Sequence, residues 1–120
     1  MVKWGVIGTG TISKAFCDSI RYSKEGELTA VASRSSKNLK YFSEKYNVDT
    51  YDSYDALLKD SSIDAIYIGT PHNSHFDLSL KTLRSGKHLL CEKPMTMNST
   101  EAMILLNEAR RLNLFFMEAF

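Results

Sequence analysis

Gly8-Thr9-Gly10-Thr11-Ile12-Ser13 follows directly on the apolar run Val2 to Ile7, and its residue types suit the binding of an anion. Gly8 allows a sharp turn out of a strand, and Gly10 lets a pyrophosphate approach the backbone. An amphipathic segment opens near Ile12. The start of such a helix points unpaired N–H groups and a positive dipole end at the anion. A strand before and a helix after are the context a dinucleotide-binding turn requires, although a glycine pattern alone is a weak signal. Ser13 stands where the pattern has its third glycine, and it is small enough for close helix–strand packing.

The second position able to do chemistry is Ser33-Arg34-Ser35, at the end of the next apolar run. Sheets that bind NAD commonly place an Asp or Glu there for the adenosine ribose. A carboxylate repels a 2′-phosphate, whereas a serine and a guanidinium bind one, and Arg34 can also lie flat on adenine. From Ser33 to Lys45 the cations Arg34, Lys37, Lys40 and Lys45 stand against Glu44, a local net of +3. We therefore expect NADP(H), with NAD as the alternative, held through Ser33 and Arg34 with Ser35 or Lys37. Lys40 and Lys45 read as a solvated helix face. The absent acid also weakens a methyltransferase reading, in which a carboxylate would hold the ribose of S-adenosylmethionine.

Two polar clusters lie at later strand ends, where open α/β sheets bind ligands. One is Thr70-Pro71-His72-Asn73-Ser74-His75, and the other is Glu92-Lys93-Pro94. A lysine there can donate to a substrate oxygen and, beside another cation, relay a proton. Glu92 could fix that lysine or the nicotinamide ribose. Taken singly, the histidines also fit helix caps, and Glu92-Lys93 also fits a surface pair.

The elements that must position these residues alternate along the chain. Leu28 to Ala32 is a second strand, and Leu39, Phe42 and Tyr46 fall at helical spacing. An extended piece at Asp49 to Tyr51 precedes the helical set Tyr54, Leu57 and Leu58. Ala65 to Ile68 is a fourth strand, and Phe76, Leu80 and Leu83 form a stripe ended by Ser85-Gly86. His88 to Cys91 is a fifth strand. Asn98, Ser99 or Thr100 caps a helix with the stripe Ala102, Leu105, Leu106, Ala109 and Leu112, and Leu114 to Met117 begins a sixth strand. Repeated βα units of this length imply an α/β fold, a doubly wound parallel sheet of Rossmann type in the order 3-2-1-4-5-6.

A chain of 120 residues suffices for one core and is too short for two ordinary domains. With 43% apolar and 24% charged residues and a net charge of +1, nothing points to a nucleic-acid or membrane partner. No apolar run approaches the roughly 18 residues of a membrane-spanning helix. Cys17 and Cys91 are isolated among apolar neighbours, without metal-ligand spacing, so no metal site is expected. Buried free thiols fit a cytoplasmic protein. The sequence stops at Phe120 in or just after the sixth strand, and we expect a piece of a longer protein.

Together these pieces resemble a known family. The Val2 to Ile7 strand with Gly8-Thr9-Gly10, the Val31-Ala32-Ser33-Arg34 strand end and Gly69-Thr70-Pro71-His72-Asn73-Ser74-His75 carry the likeness. So does the run Ser85-Gly86-Lys87-His88-Leu89-Leu90-Cys91-Glu92-Lys93-Pro94, which is highly specific. The chain is similar throughout to the amino-terminal half of Gfo/Idh/MocA oxidoreductases, and Met117-Glu118-Ala119 is similar to their dihydrodiol and xylose dehydrogenase branch. The resemblance implies an NAD(P)-dependent oxidoreductase acting on a sugar, polyol or diol. It assigns Lys93 as the active-site lysine, Glu92 as its cofactor-contacting neighbour and Pro94 as a proline, often cis, that shapes the site. Thr70, Pro71, Asn73 and His75 would line the nicotinamide end; His72 occupies a position often held by Asn. Family members continue into an open-faced substrate domain that supplies a histidine acid/base and through which copies pair as homo-oligomers. His72, His75 and His88 do not match that histidine. Residues 1–120 are accordingly expected to be a cofactor-binding domain that binds without turnover, with Phe115, Phe116 and Phe120 losing cover. A non-enzymatic dinucleotide-binding sensor on the same fold is the alternative, and an empty Rossmann scaffold a third.

Overall fold

The computed structural model describes residues 1–93 and 98–119, with only the backbone described at His72; the expectations placed on Pro94 and Phe120 lie outside these residues. Six strands are described: β1 (Val2–Ile7), β2 (Gly26–Ala32), β3 (Asp49–Tyr51), β4 (Ala65–Ile68), β5 (His88–Glu92) and β6 (Phe116–Ala119). Between them run α1 (Thr11–Ile20), α2 (Ser36–Tyr46), α3 (Tyr54–Leu58), α4 (His75–Arg84) and α5 (Ser99–Leu112), with a 3-10 turn at His72–Ser74. Every strand pair is parallel and the order is β3-β2-β1-β4-β5-β6, as the βα repeat predicts. The strand order reverses between β1 and β4, so the loops after these two strands flank one crevice.

Alternation along the strands divides the interior in two. Val6, Val31 and Tyr67 pack with Cys17, Leu39 and Phe42, so α1 and α2 cover one face. Ile7, Ala32, Ile66, Ile68, Leu89 and Cys91 pack with Leu57, Leu78, Leu83, Leu105 and Ala109, so α3, α4 and α5 cover the other. Each fully covered Leu, Ile or Phe contributes about 1.5–3 kcal/mol, so neither layer is dispensable. The two thiols are buried, unpaired with each other, and belong to opposite layers. Among the described residues no helix is long and apolar enough to cross a membrane.

Helix ends explain where the turns fall. Ser35, Ser53 and Asn98 each accept a hydrogen bond from the backbone N–H three residues on. Asn47 and Asn113 close α2 and α5 in the left-handed conformation. Of the described helices, α1 and α4 alone lack a side-chain N-cap, and they follow the two strands at the switch point. Lys87, only 4% exposed, donates to the carbonyls of Asp60 (2.7 Å) and Ile63 (2.8 Å). Burial lowers its pKa, and it ties the approach to β5 to the loop before β4.

Several boundaries differ from the sequence expectation. β2 begins at Gly26, two residues early, because Gly26 pairs with Val2. β5 runs on to Glu92, which pairs with Ala119. β6 begins at Phe116 instead of Leu114, whose N–H still bonds to the Ala109 carbonyl of α5 (2.8 Å). The buried face of α4 is His75, Leu78, Ser79, Thr82 and Leu83, leaving Phe76 and Leu80 at its margin. In α5, Leu105 and Ala109 are buried but Ala102 is exposed, one turn short of the packed stretch. Phe115 is 69% exposed, whereas Phe116 packs partly against the core.

Candidate functional site

The glycine turn joins β1 to α1 with two different demands on its glycines. Gly8 has φ of +104°, and a Cβ there would sit 3.0 Å from the backbone carbonyl of Gly69. Its N–H donates to Ala32 at 3.0 Å, tying the turn to β2. Gly10 is the N-cap of α1 in extended conformation, and a Cβ there would meet nothing within 4 Å. The first intrahelical bond runs from Lys14 N–H to the Gly10 carbonyl at 3.1 Å. The N–H groups of Thr11, Ile12 and Ser13 therefore open toward the space over Gly10 without a side-chain cap. Ser13 itself is wholly buried, its hydroxyl 2.5 Å from where a Gly69 Cβ would stand. That contact is the close helix–sheet approach expected of a small residue at the third glycine position.

At the end of β2 the hydroxyls are used internally. Thr9 Oγ1 and Ser33 Oγ are 2.9 Å apart, Asn38 Nδ2 donates to Thr9 Oγ1 at 3.1 Å, and Ser35 N–H donates to Ser33 Oγ at 3.0 Å. Ser35 Oγ accepts from Asn38 N–H at 3.2 Å. Thr9, Ser33 and Ser35 thus brace the glycine turn against α2. Arg34 points elsewhere, its guanidinium 5.4 Å over the ring of Tyr54, and Lys37 is exposed on α2. Both Arg34 and Tyr54 line an open cleft of about 650 Å³ between α3 and α4, with Asp52, Asp55, Asp77 and Lys81. Lys81 pairs with Asp55 at 3.4 Å and Arg84 with Glu108 at 3.2 Å. Among the described residues, Arg34 is the cleft cation without an ion pair.

After β4, Thr70 Oγ1 lies 2.8 Å from Ser74 Oγ, which donates to the Pro71 carbonyl at 2.8 Å. Pro71 and Asn73 are exposed on this turn. His75 is only 1% exposed, and its Nε2 lies 2.6 Å from the Thr70 carbonyl. A carbonyl only accepts, so Nε2 carries the proton, and His75 shapes the loop from beneath. At the end of β5, Glu92 is half-buried and accepts from the Tyr67 hydroxyl, while Lys93 is exposed. The sequence reading passed over Asn38, Tyr54 and Tyr67. Of these, Tyr67 carried a signal: a phenol inside an otherwise apolar buried strand needs a partner.

This arrangement defines a dinucleotide-binding α/β domain. A family profile described as the oxidoreductase family with an NAD-binding Rossmann fold (Gfo/Idh/MocA) matches residues 2–120, and the chain belongs to that family. Over 98% of its length it is 41% identical to a trans-1,2-dihydrobenzene-1,2-diol dehydrogenase of Xenopus laevis, covering 37% of that protein. It is 36% identical to the NADP(+)-dependent D-xylose 1-dehydrogenase of Hypocrea jecorina, with 98% of this chain and 34% of that one aligned. A 3-ketoreductase from Actinomadura kijaniata, solved with NADP and TDP-benzene, superposes with a TM-score of 0.94 at 34% identity. That superposition covers 98% of this chain and 36% of the ketoreductase. The chain thus spans a little over a third of the length of the curated relatives it matches.

Proposed function

We propose that residues 1–120 form the NADP(H)-holding domain of an oxidoreductase that moves hydride between nicotinamide and a CH–OH group of a diol, sugar or polyol. The observation that carries the cofactor choice is Arg34, the unpaired cation of its cleft, at the strand end where an acid would favour NAD. The open space over Gly10, beside the uncapped start of α1, fits a pyrophosphate. Names of the relatives, a diol dehydrogenase, a xylose dehydrogenase and a ketoreductase, support the substrate class.

In this reading Gly8, Thr9 and Gly10 shape the cradle, and the N–H groups of Thr11 and Ile12 donate to the pyrophosphate. Arg34, with Lys37, takes the 2′-phosphate, and Ser33 and Ser35 hold the loop that presents it. Thr70, Pro71 and Asn73 border the nicotinamide end, with His75 supporting Thr70 from below. Glu92 accepts from a ribose hydroxyl, and Lys93 donates to the substrate oxygen. When bound, the nicotinamide would accept hydride from a carbinol carbon or return it to a carbonyl carbon. A cytoplasmic location is consistent with two buried thiols that are not joined.

Paired titrations with NADPH and NADH, repeated on Arg34→Asp, test this assignment. We expect NADPH to bind at least tenfold tighter, a preference of about 1.4 kcal/mol or more, and the preference to vanish in the variant. Equal or tighter binding of NADH by the unmodified chain refutes the role of Arg34.

A further inference from the structure

We infer that Tyr67 is a positioning residue for the nicotinamide end of the site, holding the Glu92 carboxylate through its hydroxyl; this rests on the dinucleotide reading above. All four residues of β4 are buried, and Tyr67 is the one with a polar side-chain atom. Its ring stacks on Phe16 of α1 with centroids 4.1 Å apart and planes 6° from parallel. Phe16 in turn meets the edge of Trp4 at 5.3 Å, so the phenol is clamped between β1, α1 and the sheet. In the parallel register Tyr67 stands beside Leu90, and Glu92 lies two residues further on the same face. The hydroxyl reaches along the sheet and donates to Glu92 Oε1.

The ring alone would be supplied equally well by phenylalanine. What tyrosine adds is the hydroxyl, and its partner is a carboxylate next to Lys93 at the rim of the crevice. Burial, with the hydrogen bond to Glu92, pushes the phenol well above its ordinary pKa, so it remains a donor. A charge-assisted bond from a clamped donor removes rotamer freedom from Glu92. One carboxylate oxygen is thereby committed to the protein, and the other is left to accept from a ligand hydroxyl. Glu92 then meets the nicotinamide-side ribose already oriented, and its ordering cost on binding is reduced.

The test is Tyr67→Phe, which retains the ring. Dissociation constants are measured for NADPH and for adenosine 2′,5′-bisphosphate, which carries the adenine end alone. We expect NADPH to bind about tenfold more weakly while the bisphosphate changes less than about twofold. Glu92→Ala alone should weaken NADPH similarly, and adding Tyr67→Phe to it should cost no more than about twofold further, since the two act as one unit. Unchanged NADPH affinity in Tyr67→Phe overturns the inference and leaves the dinucleotide reading standing. Parallel loss of both ligands, or a collapsed thermal midpoint, also overturns it by showing that the hydroxyl serves the fold. An unmodified chain that binds neither ligand refutes the dinucleotide reading, and the inference with it.

Discussion

The two glycines of the turn should fail in opposite ways when given a methyl group. At Gly8 the backbone has φ of +104°, a conformation that strains an L residue by about 1–3 kcal/mol. The added Cβ would also stand 3.0 Å from the Gly69 carbonyl, which cannot easily retreat because Gly69 N–H bonds to Ile7 at 2.9 Å. Crowding of that kind adds about 1–3 kcal/mol, giving about 2–6 kcal/mol for Gly8→Ala. In a chain of this size that is a fall of roughly 10–25 °C in the thermal midpoint. Gly10→Ala meets none of this: its φ is −81° and the methyl enters open space. Its stability should move by less than about 1 kcal/mol, with a small loss from a poorer N-cap. The methyl, however, occupies the space proposed for pyrophosphate, and NADPH affinity should drop at least tenfold, about 1.4 kcal/mol. Thermal unfolding by circular dichroism and a nicotinamide-fluorescence titration on both variants make the comparison. Wild-type affinity in Gly10→Ala would refute the placement of the anion, and a midpoint unmoved in Gly8→Ala would refute the strain argument.

Two further outcomes follow from packing and titration. Gly69→Ala should lose about 1–3 kcal/mol in urea unfolding, because its Cβ would lie 2.5 Å from Ser13 Oγ; Ser13→Ala in the same chain should recover part of it, since Ser13 Cβ would be 3.7 Å away. Additive losses in the double variant would contradict that contact. The Asp60 carboxyl is held down at about 2 by hydrogen bonds from the Ser62 hydroxyl and from Tyr51, and Glu108 at about 2 by Arg111 and Arg84. Unfolded carboxylates titrate near about 4, so the unfolded chain binds more protons in this window. Stability should therefore be intact above about pH 4–5 and drain away as pH falls toward 2. Asp60→Asn with Glu108→Gln should flatten that slope, and curves that stay parallel would exclude these two groups as its source.

Strand identity is legible where a short apolar run is stopped by glycine or a charged residue, as in β1, β4 and β5, whereas β3 (Asp49–Tyr51) carries no such run. β4, bounded by Asp64 and Gly69, is the clearest case. Strand order followed from βα repetition, since right-handed crossovers leave few closures. Ends were less legible where pairing overrides composition: Gly26 and Glu27 are poor strand formers, yet β1 recruits them. Likewise Leu114 is apolar enough for a strand but is held by the close of α5. The glycine turn and Arg34 stand out because their positions relative to the strand ends match the pattern of a dinucleotide site. The hydrogen bond between Thr9 and Ser33, across 24 residues, is a tertiary fact that spacing does not encode. His75 falls within a polar cluster in the sequence, which does not show that its ring lies buried against the Thr70 carbonyl. Tyr54, placed by its spacing only in a helical set, enters the cleft through the approach of α3 to the end of β2.

The division of the interior into two layers gives each layer its own chemical reporter. Cys17 sits on the buried face of α1 and Cys91 on β5 beneath the helices of the opposite face, each wholly covered and with its thiol pushed up to about 12, chiefly by burial. Neither sulfur is reactive while its layer is closed, so modification by a thiol reagent clocks the opening of one layer and is blind to the other. Equal labelling rates would mean that the sheet loses both coverings in one concerted event. Faster labelling of Cys17 would mean that the α1/α2 layer breathes independently, and a cofactor bound at the start of α1 should then slow that thiol selectively.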